Sequence, residues 1–117
     1  MRAIPTAFAT LAMAVAVTAG APAMAKEKLA NAAIMAGDYG AAERILVDQP
    51  RAYKQLPEMM LNLAFVYAQT GRQAEAGVLY REVLKQPDVD LDNSIGSSLS
   101  SHEMAKIGLS RLSLASR

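Results

Sequence analysis

The chain has 117 residues, twelve basic and eleven acidic, with one histidine and no cysteine. That length holds a single domain, and its nearly balanced, scattered charge excludes a polyanion-binding surface, so no nucleic-acid partner is implied. The missing thiols exclude disulfides, thiolate metal sites, cysteine nucleophiles and a lipid-modified cysteine.

Residues 1–25, MRAIPTAFATLAMAVAVTAGAPAMA, read as a signal peptide. Arg2 supplies the positive start, Phe8 to Val17 a short uncharged apolar core, and Ala23-Met24-Ala25 the small-residue cleavage signal. The core falls well short of the roughly 20 apolar residues that a spanning helix needs. Cleavage after Ala25 leaves Lys26 to Arg117, with eleven basic and eleven acidic side chains. The expected location is the bacterial periplasm, with secretion to the medium as the minor alternative. The competing reading keeps the segment as a membrane anchor.

Glu27 to Ala36 is alanine-rich, with Leu29, Ala30 and Ala33 at helical spacing, and Gly37 is its expected C-cap. Asp38 is placed to N-cap a second helix carrying Ala42, Ile45 and Leu46 on one face, which Pro50 halts. An irregular connection is expected from Arg51 to Leu56. Pro57 then opens a helix in the first turn, where proline is tolerated, and Glu58 suits that end of the dipole. Met60, Leu63, Ala64 and Tyr67 form one stripe, and Ala76, Leu79, Tyr80, Val83 and Leu84 its partner beyond a tight turn at Gly71. Ala64, Ala76 and Gly77 are the expected close-approach positions.

Shifting the chain by 34 residues superposes Leu29 on Leu63, Ala30 on Ala64, Ala33 on Tyr67, Gly37 on Gly71, Ala42 on Ala76 and Leu46 on Tyr80. A helix–turn–helix period of that length resembles the tetratricopeptide repeat, TPR. Leu63-Ala64, Tyr67, Gly71, Ala76, Tyr80, Val83 and Pro87 occupy the family's signature spacing. The first copy departs from it, with Ala33 where a large aromatic is usual and Pro50 ahead of the terminal proline position. The alternative is two unrelated helical hairpins.

Asp88 to Ser101, DVDLDNSIGSSLSS, reads as loop. Ser100 and Glu103 then form a capping box for a last helix whose apolar face carries Met104, Ile107, Gly108 and Leu112, beside Ala105 and Leu109. The expected organisation is therefore all-α: signal peptide 1–25, helix pairs 26–56 and 57–87, loop 88–101, and a capping helix 102–117.

Two constellations suggest chemistry and are outweighed. Asp88, Asp90 and Asp92 alternate as in a calcium loop, with Ile95 at its apolar position, but Asn93 stands at the sharp-turn glycine and Leu99 at the bidentate glutamate. A solvated alternation, with Val89 and Leu91 turned inward, explains them. His102 beside Ser97, Ser98, Ser100 and Ser101 lacks the orienting acid and oxyanion site of a hydrolase, and capping chemistry accounts for the serines. No catalytic residue, metal, cofactor or small-molecule substrate is expected.

What the family resemblance implies is a protein-binding scaffold whose first helices line a concave groove for a protein or peptide segment. Carried over to this chain, the groove positions are Asn31, Ile34 and Met35 from the first pair and Leu61, Asn62, Phe65 and Gln69 from the second. Leu61 and Phe65 lie off the packing stripe, so either the C-terminal helix covers them or they anchor a partner. Asn31 and Asn62 match the asparagines of carboxylate-clamp TPR domains, but Glu27 stands where the clamp has a lysine. Two repeats fall short of the about three units such arrays normally need. The closing helix completes the core, or the exposed face of the first helix serves self-association or docking on a larger envelope complex.

Overall fold

The computed structural model describes residues 20–91 and 99–115. The expected signal-peptide core and Asp92, Asn93, Ile95, Ser97 and Ser98 of the loop lie outside them. Among the described residues six helices follow in order: α1 Gly20–Met35, α2 Tyr39–Val47, α3 Arg51–Lys54, α4 Pro57–Gln69, α5 Gln73–Lys85 and α6 Ser101–Ala115. The described residues are all-α, with a single isolated bridge, Asp90 to Ser100, pinching the base of the loop.

Two glycines close the two hairpins in the same way. Gly37 and Gly71 take φ of 75° and 81°, a region that costs a Cβ-bearing residue free energy. Beyond each, the chain turns back to the last turn of the preceding helix. Asp38 N–H donates to the Ala33 carbonyl at 2.9 Å, and Arg72 N–H to the Tyr67 carbonyl at 2.8 Å. These Schellman-type bonds satisfy carbonyls that the helix end leaves free. The Asp38 carboxylate then accepts from Ala41 N–H at 3.1 Å, capping α2.

Pro50 ends the first hairpin, but Arg51 to Lys54 is not irregular. The Pro50 carbonyl accepts from Tyr53 and Lys54 N–H groups, so the residues behind it form one helical turn. Helix α1 also starts earlier than expected, at Gly20, because the alanine-rich stretch before Lys26 has high helix propensity.

Helix α4 is central. Its buried residues include Met59, Met60, Leu61, Ala64 and Val66. Met59 and Val66, with Leu63 beside them, pack on Ala30, Ala42 and Leu46 of the first hairpin. Met60, Ala64 and Tyr67 pack on Ala76, Tyr80 and Val83 of α5. Leu63 therefore leaves the stripe to which its spacing assigns it, because α4 has helices on more than one side and its apolar run is nearly continuous. The hairpins are also stitched at their turn end. Arg72 holds Glu43 of α2 through two bonds of 2.7 and 2.6 Å, and its guanidinium stacks 4.3 Å over the Tyr67 ring. That fork draws the Glu43 carboxyl below its ordinary value.

Helix α6 lies on α5 and α4 through small residues. Ser101, Ala105 and Gly108 are its buried positions, while Ile107 is exposed. Gly108 has the closest approach: a Cβ there would fall 2.3 Å from Tyr80 Cζ. Gly77, the expected close-approach glycine, faces only the end of its own helix's Arg81 side chain. Leu29, counted with the apolar face of α1, is exposed.

The start of α6 is clamped. Ser100 N–H donates to the Glu103 carboxylate and Glu103 N–H to Ser100 Oγ, the reciprocal capping box. The Asp88 carboxylate accepts from His102 N–H at 3.0 Å and from the Ser101 hydroxyl at 3.3 Å. Hydrogen bonding, chiefly from His102 N–H, lowers its pKa. Asp88 therefore caps α6 while remaining exposed, as the expected solvated alternation has it, but Val89, expected to turn inward, is exposed as well.

Candidate functional site: a groove between three helices

A groove of about 750 Å³ is bounded by α1, α4 and α6. All seven residues expected on a concave face line it: Asn31, Ile34 and Met35 from α1, and Leu61, Asn62, Phe65 and Gln69 from α4. The two helices contribute in matched rows, because a helix returns the same face every three to four residues. Glu27 goes with Glu58, Asn31 with Asn62, and Ile34 with Phe65. The rows are offset by 31 residues, one helical turn less than the offset that aligns the glycine turns.

The middle row is locked. Asn62 Nδ2 donates to Asn31 Oδ1 at 3.0 Å, bridging the two hairpins and leaving each amide spare capacity toward the groove. The apolar row is graded in exposure. Leu61 is 7% exposed and belongs to the cluster that contains Ala105 of α6, so it is core. Phe65 is half-buried and meets the Tyr39 ring edge-on, with centroids 6.2 Å apart. Met35 is 89% exposed at the lip. The closing helix therefore buries Leu61, whereas Phe65 is held from below by α2.

Glu27 and Glu58 form the remaining row. Burial, with Glu58 adding to it, pushes the Glu27 carboxyl above its ordinary value. Among the described residues no basic side chain forms an ion pair with either.

The second wall was missed by sequence reasoning. Met104, Ile107, Arg111 and Leu112 of α6 line the groove, and Tyr80 and Gly108 also contribute. The apolar face of α6 was visible in its spacing, but not that its edge would flank a cleft. Burial raises the Tyr80 hydroxyl pKa, which the nearby Arg111 charge partly offsets.

The histidine and its serines serve the clamp. His102 Nε2–H donates to the Gln86 carbonyl at 2.7 Å, and buried Ser101 Oγ accepts from Val89 N–H at 3.0 Å. Gln86 in turn donates to the Gln55 carbonyl at 2.9 Å, so one residue joins the α3–α4 connection, α5 and α6. Among the described residues no group of three or more carboxylates or histidines is placed to hold a metal ion. Comparisons with protein-family models, with curated proteins and with solved structures gave no match.

Proposed function

We propose that the protein is an exported TPR-type scaffold or adaptor that binds a protein or peptide segment in the bacterial cell envelope. The observation that carries this reading is the groove itself: the residues carried over from the family line one cleft, whose α1 and α4 walls run from an acidic row through an amide row to an apolar one. The turns support the repeat, since the bonds closing them join residues related by the same 34-residue shift. In this reading α6 stands in for the missing third unit, covering the face of α5 that a further hairpin would take. Export and periplasmic location rest on the pattern of residues 1–25.

The test uses the groove lip. Met35→Glu leaves the core untouched, and Phe65→Ala removes the ring while keeping the helix. Affinity capture from solubilised cell envelope is expected to lose the same partners with either variant, at unchanged helicity. Partners retained by both variants would overturn the groove as the binding site.

The alternative is a membrane-anchored structural component with the N-terminal segment retained. Among the described residues no helix is long and apolar enough to cross a membrane, so that reading depends on the uncharged stretch after Arg2. Mass spectrometry of the protein from cells separates the two: export with cleavage gives an N-terminus at Lys26, an anchor gives Met1.

A further inference from the structure

The chemistry of the groove selects among peptides, given the binding role proposed above. We propose that its occupant is an extended peptide carrying a lysine or arginine, seated between Glu27 and Glu58, with an apolar side chain following on Phe65. Three observations converge on this. The groove's α1 and α4 walls are acidic at one end and apolar further along, in rows formed by the same helical spacing on both helices. The two carboxylates face the same cleft without a basic partner among the described residues, and the partly buried Glu27 is held less acidic than an ordinary glutamate by its surroundings. A ligand cation supplies the counter-charge that the fold leaves out.

The opposite polarity lies at the other end. The clamp holds the start of α6 beside the C-terminus of α5, where Gln86 meets Gln55 just before α4 and its Glu58 begin. Arg111 is nine residues further along α6, about 14 Å away from that end. A bound segment is thus oriented, cation toward Glu58 and any carboxylate toward Arg111. The spacing is also set. Glu27 to Ile34 is seven residues of helix, about 10 Å of rise, which three residues of extended peptide span. The basic residue and its apolar companion are therefore three positions apart. A peptide's C-terminal carboxylate, the ligand of clamp-type repeats, is repelled from the Glu27 end.

The experiment is selection of a random ten-residue peptide display library on the immobilised full-length protein. Anisotropy measurements follow on the most enriched peptide and on its analogue with norleucine replacing the basic residue. The expected result is enrichment of Lys or Arg three positions from a large apolar residue. The norleucine analogue should bind about tenfold more weakly to the wild type. The isosteric double variant Glu27→Gln, Glu58→Gln should bind both peptides alike, with its thermal melt as the check on folding. Enriched peptides without a basic residue, or a lysine preference that survives the double variant, overturn this inference while leaving groove binding intact. Absence of any enrichment, or binding indifferent to Met35→Glu and Phe65→Ala, overturns the groove reading itself and this inference with it.

Discussion

The substitution Gly108→Ala asks whether α6 rests on the Tyr80 ring as closely as its backbone position requires. A Cβ at residue 108 would lie 2.3, 2.5 and 2.6 Å from Tyr80 Cζ, Cε1 and Cε2, where ordinary contact begins near 3.4 Å. The ring cannot easily retreat, since Tyr80 is 6% exposed and packed in the cluster with Met60, Leu61, Ala64 and Val83. Two effects oppose each other. Alanine is a better helix former than glycine by about 0.5–1 kcal/mol. Overpacking a closed contact costs about 1–3 kcal/mol. Because all three contacts are with ring atoms and none with a flexible chain end, the second effect wins, and the net loss is about 1–2 kcal/mol. For a domain of this size that lowers Tm by about 5–15 °C. The control is Gly77→Ala, whose new methyl meets only the end of the Arg81 side chain, 3.1 Å from its Nη1. Urea and thermal unfolding followed by circular dichroism should move the two variants in opposite directions. If Gly108→Ala melts at or above the wild-type temperature, the close docking of α6 is wrong. In the double variant with Tyr80→Leu the two losses should add to less than their sum, because the smaller side chain makes room for the methyl.

Three further outcomes follow from the charges and the clamp. Glu27, with its raised pKa, contributes stability that is present below pH 4.5 and lost as pH rises through its folded value. Glu27→Gln should therefore raise Tm by about 2 °C at neutral pH and lose that advantage below pH 4.5, in melts across a pH series. Glu43 and Asp88 behave oppositely: their stabilisation is present above the ordinary carboxylate values of 4.5 and 3.8 and is lost as pH falls through the lowered folded ones. Arg72→Lys replaces a stacked, two-pronged contact with a point charge, so Tm should fall by less than in Gly108→Ala and lose part of its salt dependence. His102→Ala removes the bond to the Gln86 carbonyl, an expected loss of about 1 kcal/mol by urea titration.

What could be read from the sequence was mostly local. Gly37, Gly71, Asp38 and the Ser100–Glu103 box each act within a few residues of chain, so their chemistry is written where it operates. The groove positions rest on the family resemblance; periodicity by itself says only that Leu61 and Phe65 lie off the packing stripe. Tertiary choices were harder to see. The run from Met59 to Ala68 is apolar at nearly every position, so its periodicity cannot show that Met59 and Val66 face one hairpin while Met60 and Ala64 face the other. The same limit hid Gly108. Which of two helical glycines lies beneath a ring depends on where α6 crosses α5, and no local pattern encodes that crossing.

The clamp at the start of α6 also bears on how the protein opens. Each hairpin is closed by bonds between near neighbours in sequence, so α1–α2 and α4–α5 can zip from their own turns. Helix α6 is held to them from beyond the loop, by His102 on Asp88 and Gln86 and by its packing on α5 and α4, and one wall of the groove exists only when it is docked. The cleft is therefore as durable as that single docking event, not as the domain. Native-state hydrogen exchange should show α6 amides opening at lower free energy than those of α4, a sub-global excursion that admits a ligand without unfolding the hairpins that recognise it.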